Sequence, residues 1–434
     1  MAAALGVLVS CGSVKSGEEV VAASRDSKVV VAYVTSWSEV MPDPQYMTHI
    51  NYAFGHVNES FNGVKIDNEE RLRQIVDLRK QKPELKVLLS IGGWGSGRFS
   101  EMAANDEYRR AFVADCARVV KEFALDGIDI DWEYPTSSMA NISSSPDDTE
   151  NFTLLMQDIR AAIGNEKELT LATVASARYI DFKAILPSVD FVNIMAYDMA
   201  SAPKHHSALY PSGHSGDITS DGAVTAHLKA GVPPSKLVMG MPFYGRGGDG
   251  YPSFQDYNKV GNTDTQYTEK WDEVAQVPYL ADKNDTLVFG FENPRSLAIK
   301  CQYILDKDLL GGMYWDYSGD NEQGDLRRTV AENLLGKPHK AKVLVLTERG
   351  GQHGGFTDAG LRWLAAEGAK GNFSITEINN ARNITEAYLS QFSLVIQLDF
   401  PPYTWPKEAE DAFVKYIEEG LSLIHISEPT RQEA

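Results

Sequence analysis

Three carboxylates alternate with apolar residues within residues 126–135 (Asp-Gly-Ile-Asp-Ile-Asp-Trp-Glu-Tyr-Pro), and this pattern constrains the fold most strongly. In an extended strand, Asp129, Asp131 and Glu133 point to one face and the two intervening isoleucines point to the other. The apolar and aromatic neighbours favour a buried strand over a solvated edge strand with an acidic face. Buried acids at close range raise one another's pKa, so one of them can hold a proton near neutral pH and act as a general acid.

Short β-branched runs alternate with helical segments, which predicts an α/β fold of the (β/α)8 TIM-barrel type. The predicted strands are residues 29–34, 49–54, 86–91, 127–131, 169–174, 191–195, 237–242 and 311–315. Predicted helices between them include residues 69–80, 106–123, 149–163 and 223–230. Active sites of such barrels lie at the C-terminal ends of the strands, where Asp131 and Glu133 fall.

Aromatic residues follow or end several of the predicted strands. Pyranose rings stack on aromatic rings, so a ring of such residues at a barrel mouth predicts a sugar-binding cleft. For Phe54 and Trp132, packing within the barrel is the favoured interpretation. The aromatic residues are Tyr33, Trp37, Phe54, Trp94, Trp132, Tyr134, Tyr197, Tyr244 and Trp315.

The acidic segment resembles the glycoside hydrolase family 18 signature D-x-x-D-x-D-x-E, with Asp126, Asp129, Asp131 and Glu133 at its four acidic positions. Its Trp-Glu-Tyr-Pro ending is similar to the chitinase branch of that family rather than to the branch that cuts N-glycans. The resemblance covers roughly residues 29–337. Further segments that resemble family motifs are Ser90-Ile-Gly-Gly93, Met195-Ala-Tyr-Asp198, Tyr244-Gly-Arg246 and Gly312-Met-Tyr-Trp315.

The resemblance implies an endo-acting, chitinase-like hydrolase that cleaves β-1,4 bonds between N-acetylglucosamine units with retention, assisted by the substrate's acetamido group. Glu133 is then the acid and later the base, Asp131 binds the acetamido nitrogen, Tyr197 orients its carbonyl, and Asp129 shares a proton with Asp131. No cofactor or metal is implied. Implied substrate-binding residues are Tyr33, Trp37, Phe54, Gly93, Trp94, Met195, Asp198, Tyr244, Arg246 and Trp315.

Other functions stay open: an endo-β-N-acetylglucosaminidase acting on N-glycans, a non-catalytic lectin-like chitin-binding protein, or a structural surface lipoprotein. Lectin-like relatives typically lose the acid, whereas Glu133 is present. The net charge of −19 over 434 residues argues against nucleic acid or an anionic membrane surface as a partner. We expect a monomer that acts on chitin or N-acetylglucosamine oligosaccharides.

Residues 247–292 stand where the family often inserts a small α+β module. The stretch of about 45 residues is shorter than the full module, so we expect a lower cleft wall and no deep tunnel.

Cysteine and histidine positions indicate structural roles. Cys116 and Cys301 lie in helical segments and are predicted to be small buried hydrophobic residues, with a disulfide between them as the alternative. His205 and His206 lie in a loop rich in Ser, Pro and Gly and are predicted to be on the surface. No spacing indicates a metal site.

The N-terminal segment, residues 1–27, resembles a bacterial lipoprotein signal followed by a linker. An apolar run at residues 2–9 precedes Cys11, which would be lipidated and would anchor the chain to the outer membrane, in the periplasm or at the cell surface. The run is too short to span a bilayer. Because no Lys or Arg precedes it, the favoured interpretation is that the natural start lies upstream, with a disordered leader as the alternative.

After the barrel domain (residues 28–338), three β/α repeats in residues 339–420 predict the opening half of a flavodoxin-like doubly wound sheet. This region resembles the start of the ThuA-like domains of trehalose utilisation, with residues 348–353 as the first loop and His353 as a weak site candidate. Residues 421–434 resemble a translated sequencing adapter, so we expect that the natural protein continues differently after Gly420; a natural amphipathic tail is the alternative.

Overall fold

Fourteen strands and eight helices make up the first part of the computed structural model, which describes residues 28–248, 251–260, 267–336, 341–347, 354–371, 373–382, 384–389, 392–398, 405–418 and 422–426. The strands are β1 Val29–Thr35, β2 His49–Val57, β3 Val64–Ile66, β4 Lys86–Gly92, β5 Gly127–Asp131, β6 Glu168–Val174, β7 Phe191–Met195, β8 Leu237–Pro242, β9 Tyr244–Gly247, β10 Gln255–Asp256, β11 Thr268–Asp272, β12 Val277–Ala281, β13 Leu287–Gly290 and β14 Gly311–Trp315. The helices are α1 Glu69–Val76, α2 Phe99–Ala104, α3 Asp106–Glu122, α4 Asp148–Ile163, α5 Phe182–Ile185, α6 Ser220–Lys229, α7 Pro294–Asp306 and α8 Asp325–Leu334.

Eight parallel strands close into a barrel, as the sequence predicts. Their order is β1-β14-β8-β7-β6-β5-β4-β2, and β2 pairs with β1 to complete the ring. All eight predicted strands are present. Strand β2 runs three residues beyond its predicted end because β3, which was not predicted, pairs with it in antiparallel register.

Strand β5 separates two cores, and its alternation is confirmed. Ile128 and Ile130 belong to the large apolar layer between the barrel and its helices. Asp129 and Asp131 have the opposite parity and are also buried. Burying the isoleucines fixes the register, because a slip of one residue would carry the acids into the apolar layer.

A five-stranded antiparallel sheet is inserted between β8 and α7. Its order is β10-β9-β13-β12-β11, and its strands fall within residues 244–290. This is the predicted position of the inserted module.

The chain divides into two compact units, residues 1–336 and 337–434. The second unit has a parallel sheet of order β16-β15-β17-β18. Its elements are β15 Ala341–Thr347, α9 Gly354–Gly371, β16 Phe373–Ile378, α10 Glu386–Leu389, β17 Leu394–Leu398, α11 Lys407–Glu418 and β18 Ser422–Ile426. The three predicted β/α repeats are therefore present.

Within the predicted adapter-like segment, the described residues Ser422–Ile426 form strand β18 and so contribute to the fold. Ser422–Ile426 pairs in parallel with Leu394–Leu398. The open edge of β17 accepts any extended segment with strand propensity, and Ser-Leu-Ile-His-Ile has that propensity. His353 and the loop at residues 348–353 lie outside the described residues, as do Cys11 and the rest of the N-terminal segment.

The cysteine prediction is confirmed, since Cys116 and Cys301 are both free and buried. Burial raises the pKa of both thiols. Across the described ranges, no helix is long and apolar enough to cross a membrane. The same ranges contain no cluster of three or more His, Cys, Asp or Glu side chains suited to a metal ion.

Candidate active site

Asp129 lies at the centre of the barrel and accepts hydrogen bonds from side chains of four other strands. Oδ2 accepts from the Tyr33 hydroxyl at 2.9 Å and from Ser90 Oγ at 2.7 Å. Oδ1 accepts from Thr170 Oγ1 at 2.6 Å and from Asn193 Nδ2 at 3.3 Å. Burial raises the pKa of Asp129, although these four bonds oppose the rise. The donors hold the carboxyl rigidly and leave it within electrostatic reach of Asp131.

Asp131 and Glu133 lie at the C-terminal end of β5 and remain largely buried, with exposed fractions of 3% and 9%. Burial and the charges of Glu133 and Asp129 raise the pKa of Asp131 well above its ordinary value. Oδ1 of Asp131 is buried without a hydrogen-bond partner in the described structure, which is costly unless a ligand supplies a donor. The site therefore has an acceptor available for an N–H or O–H group.

Glu133 is the best candidate for a proton donor. Burial raises its pKa to about 7, and the charge of Asp198 contributes to the rise. A carboxyl with this pKa carries a proton for a large fraction of the time near neutral pH. That is the condition a general acid must meet.

Asp198 and Arg246 form a bidentate ion pair at the edge of the site. Arg246 donates from Nε to Oδ1 and from Nη2 to Oδ2 of Asp198, both at 2.6 Å. Burial pushes the pKa of Asp198 upward, but the Arg246 and His206 contacts outweigh it and hold that pKa below its ordinary value. Asp198 is therefore a fixed negative charge across the titration range of Glu133.

Tyr197 lies on the loop after β7, near Asp131 and Glu133, and packs against the lumen cluster. Burial, with the charges of Asp131 and Glu133, raises the pKa of its hydroxyl well above the ordinary value, so the hydroxyl stays protonated. It makes a long 3.8 Å contact with Met313 Sδ. It can therefore donate a hydrogen bond to a carbonyl oxygen. Met195, at the end of β7, packs in the lumen cluster with Phe54 and Met313.

Aromatic rings form three groups around the acids. Tyr33, Trp37 and Phe54 surround Trp315, with centroid separations of 5.6, 6.5 and 5.5 Å. The second group, on the loops after β4, β5 and β6, contains Trp94, Tyr134 and Tyr179. In the third, Tyr244 stacks on Phe254 at 4.7 Å and Arg246 lies over both rings.

The exposed faces for a ligand belong mainly to Trp37 and Trp94, which have exposed fractions of 64% and 61%. Phe54 is 7% exposed and supports Trp315 from below, in agreement with its interpretation as a packing residue.

Gly93 permits close packing at the end of β4. Its φ of +94° is left-handed, and a Cβ atom there would lie 2.7 Å from the Phe54 ring. Its N–H donates to the Asp131 carbonyl at 2.8 Å, which ties the end of β4 to the acidic strand. Any side chain at this position would displace the Phe54 ring.

Two residues of the acidic segment lie outside the site. The Asp126 carboxylate, at the opposite end of β5, accepts from the Val87 N–H at 2.7 Å and pairs with Arg79. Trp132 stacks on Phe99 at 5.2 Å in the outer apolar layer, as its even parity with Ile128 and Ile130 requires. The packing interpretation of Trp132 is therefore confirmed.

The prediction that His205 and His206 are on the surface is wrong. Both are buried, with exposed fractions of 1% and 0%. His205 Nε2 lies 3.2 Å from Asp272 Oδ2 on the inserted sheet. The His206 ring lies 5.3 Å from that of Tyr244. The inserted sheet packs over this loop, and the sequence of the loop itself does not indicate that it is buried.

Sequence reasoning also missed residues that support the site. Thr170 and Asn193 hold Asp129 from β6 and β7. Asp148 holds the loop after β5, since its carboxylate accepts from the N–H groups of Thr136 and Ser145 and from Ser100 Oγ. In the sequence, Thr170 and Asn193 could have been found only as polar residues at strand positions that face the barrel interior, and Asp148 only as a polar residue at the start of a helix.

A separate cavity of about 980 Å³ lies beside the inserted sheet and contains none of the predicted site residues. Its lining includes Tyr257, Phe291, Tyr317 and Arg327. It is not part of the acidic site.

Comparison with known proteins agrees with this geometry. Residues 29–320 match the family described as Glycosyl hydrolases family 18. The chain is 29% identical over 409 residues to Chitinase A1 of Niallia circulans, covering 70% of this chain and 58% of that protein. It is 31% identical over 350 residues to Chitotriosidase-1 of Mus musculus, covering 68% and 74%.

Solved structures give the same result. A family 18 N-acetylglucosaminidase from Paenibacillus barengoltzii has 32% identity and a TM-score of 0.66, over 71% of this chain and all of that chain. A chitinase from Bacillus thuringiensis has 26% identity and a TM-score of 0.66, over 72% of this chain and 70% of that one.

Proposed function

The chain belongs to the glycosyl hydrolases of family 18, and from that membership we propose that it is a chitinase-like enzyme cutting β-1,4 bonds between N-acetylglucosamine units. Its relatives named above are chitinases, a chitotriosidase and an N-acetylglucosaminidase. The observation that carries the proposal is the buried pair of Glu133, whose pKa is raised by burial, and Asp131, whose Oδ1 has no hydrogen-bond partner among the described residues.

The proposed first step breaks the glycosidic bond. Glu133 gives its proton to the glycosidic oxygen as the bond to the anomeric carbon breaks. The substrate's acetamido oxygen bonds to that carbon from the opposite face, giving an oxazolinium intermediate of inverted configuration; the second step inverts it again, so the overall configuration is retained. Asp131 accepts the acetamido N–H and balances the positive charge. The Tyr197 hydroxyl donates to the acetamido oxygen and orients it.

The proposed second step releases the sugar. Ionised Glu133 accepts a proton from water while the water oxygen attacks the anomeric carbon, and the oxazolinium ring opens to the acetamido group. Asp129, held by four donors, keeps Asp131 in place. A proton shared between Asp129 and Asp131 lets Asp131 gain negative charge as the intermediate forms.

The aromatic groups support a sugar polymer as the substrate. Trp37 and Trp94 are largely exposed and belong to different aromatic groups, and the Trp315 ring contacts both Tyr33 and Phe54. Aromatic faces stack on pyranose rings and tolerate sliding of a repeating polymer. Phe54, Tyr244 and Arg246 would shape the cleft around the bound sugar.

Product analysis tests this proposal. The full chain is incubated with N-acetylglucosamine oligosaccharides and, separately, with a high-mannose glycoprotein, with the Glu133→Gln variant as the inactive control. Shortened oligosaccharides from the wild-type chain alone are expected. Binding without cleavage would contradict the proposal and indicate a lectin.

A second candidate is suggested by the similarity to the Paenibacillus N-acetylglucosaminidase. Release of single sugars from chain ends would replace internal cutting, and the first products of a long oligosaccharide distinguish the two. Release of whole glycans from the glycoprotein would instead support the endo-β-N-acetylglucosaminidase alternative.

For localisation we propose lipidation at Cys11, supported by the apolar run before it in the sequence. A Cys11→Ala variant expressed in a bacterium should move from the membrane fraction to the soluble fraction. An unchanged membrane fraction would contradict lipidation.

For the second unit we propose a flavodoxin-like sheet related to ThuA domains. The order β16-β15-β17 corresponds to 2-1-3 in chain order, the start of the flavodoxin order 2-1-3-4-5. Limited proteolysis tests independence from the barrel, since a fragment ending near Gly336 should keep full hydrolytic activity.

A further inference from the structure

Asp198 has an unusual backbone conformation for a residue with a side chain. Its φ is +54°, in the left-handed region, which is unfavourable for residues that carry a Cβ atom and somewhat less so for Asp. Such a conformation persists when neighbouring groups fix it. Arg246 holds the Asp198 carboxylate from one side, but these two hydrogen bonds do not fix the backbone of Asp198.

His206 supplies that support from behind Asp198. The Asp198 N–H lies 3.4 Å from His206 Nδ1, and Nδ1 lies 3.5 Å from Asp198 Oδ1. The His206 carbonyl also accepts from the N–H of Met199 at 3.0 Å. One histidine therefore contacts the backbone on both sides of the residue and its carboxylate.

The position of His206 is fixed by a buried ion pair behind it. Lys300 and Glu292 pair with both side chains at 0% exposure. Ser207, the next residue along the chain, donates from Oγ to Glu292 Oε1 at 2.6 Å and accepts at its carbonyl from Lys300 Nζ at 2.5 Å. A buried pair of this kind fixes geometry strongly, because loss of either partner leaves an unpaired charge.

We propose that His206 is a positioning residue that holds Asp198 in its left-handed conformation and keeps that carboxylate at a fixed place beside Glu133. The inference rests on the proposed role of Glu133 as the acid. It assigns to His206 no contact with substrate.

The geometry specifies which nitrogen matters. Nδ1 makes both Asp198 contacts, whereas Nε2 is buried without a partner in the described structure. In an Asn side chain the amide stands where Nδ1 stands, and it can present either an acceptor to the Asp198 N–H or a donor to Oδ1. A Gln side chain reaches the Nε2 position instead.

The charges around the two carboxyls set the expected direction. The titratable groups around Glu133 are Asp131, Tyr134, Tyr197 and Asp198, and those around Asp198 are Arg246, His206, Tyr134, Tyr197 and Tyr244. The negative charge of Asp198 favours protonated Glu133. If Asp198 is released from its place, the pKa of Glu133 should fall, and the alkaline limb of activity should move to lower pH. Because the Asp198 side chain is 41% exposed, the shift should be modest, about half a unit.

The test compares His206→Leu, His206→Gln and His206→Asn in the full chain. We expect His206→Leu and His206→Gln to lose about tenfold in kcat/KM and to shift the alkaline limb downward. His206→Asn should stay within about threefold of wild type with an unmoved limb. The matched control is His227→Leu, because His227 is also fully buried and, among the described residues, its Nε2 has no partner and its Nδ1 bonds only the Ala223 carbonyl of its own helix.

An infrared titration of the Glu133 carboxyl, taken as the difference from Glu133→Gln in each background, gives the same comparison without turnover. If Glu133 titrates in the His206→Leu chain at the same pH as in the wild type, the inference is wrong. It is also wrong if His206→Gln and His206→Asn have the same kcat/KM and the same Glu133 titration. If His206→Leu does not fold, the Gln and Asn pair decides. An inactive wild-type chain would count against the proposed function, while the titration would still test the role of His206.

Discussion

The two ends of strand β5 hold carboxylates in opposite ways. At the N-terminal end, Asp126 accepts a backbone N–H and pairs with Arg79, which also donates to backbone carbonyls of Leu85 and Ala124. At the C-terminal end, Asp131 has an oxygen without a hydrogen-bond partner in the part of the chain that the structure describes, and it lies beside two further acids. One end satisfies its charge within the fold, and the other leaves it available to a ligand. The N-terminal end of this strand therefore contributes to stability and its C-terminal end to the active site, the division that is typical of TIM barrels.

The largest expected effect concerns the upper end. Glu133→Gln keeps the shape of the side chain but removes its transferable proton, so kcat should fall by about 10²–10⁴-fold. Oligosaccharide affinity, measured by calorimetry, should be retained because the aromatic groups are untouched. Glu150→Gln, an exposed change in α4, is the control. Near-native turnover by Glu133→Gln would mean that Glu133 is not the acid.

A pH-dependent stability difference should separate the same two proteins. The pKa of Glu133 is about 7 in the fold against an ordinary value of 4.5, so the fold binds its proton more tightly than the unfolded chain does. The stabilisation is fully present below pH 4.5 and is lost as pH rises through 7. Relative to Glu133→Gln, the wild-type barrel should lose up to about 3 kcal/mol of unfolding free energy over this window. Denaturant titrations at several pH values measure it, and parallel curves for the two proteins would contradict the raised pKa.

A substitution at the N-terminal end of β5 should have the smallest effect, and it should change stability rather than catalysis. Asp126→Asn weakens the Arg79 pair and should lower the unfolding free energy by about 1 kcal/mol, since both side chains are partly exposed. The kcat value should not change. Asp77→Asn removes an exposed pair with Lys80 and is the matched control, with almost no effect expected. A large loss of kcat in Asp126→Asn would show that the two ends are not independent.

The barrel and its acidic strand could be predicted because their signals are local. Alternation alone placed Ile128 and Ile130 in the outer layer and Asp129 and Asp131 on the inner side. The same alternation predicts that Trp132 faces outward like Ile128 and Ile130, in agreement with its packing against Phe99.

Features that depend on distant segments could not be predicted. The burial of His205 and His206 requires the inserted sheet, which contributes Asp272 and Tyr244 to their surroundings. The hydrogen bonds to Asp129 from Thr170 and Asn193 require the closed barrel to bring β6 and β7 beside β5. A polar loop composition indicates exposure only where nothing packs over the loop.

The most direct measurement of the central claim is the course of the reaction on matched substrates, followed by proton NMR of the freshly formed reducing end. The proposed pair of Glu133 and the substrate's acetamido group predicts that the β anomer appears first and that fully deacetylated chitosan is not cut. An α anomer as the first product, or cleavage of the deacetylated polymer at a comparable rate, would contradict the account.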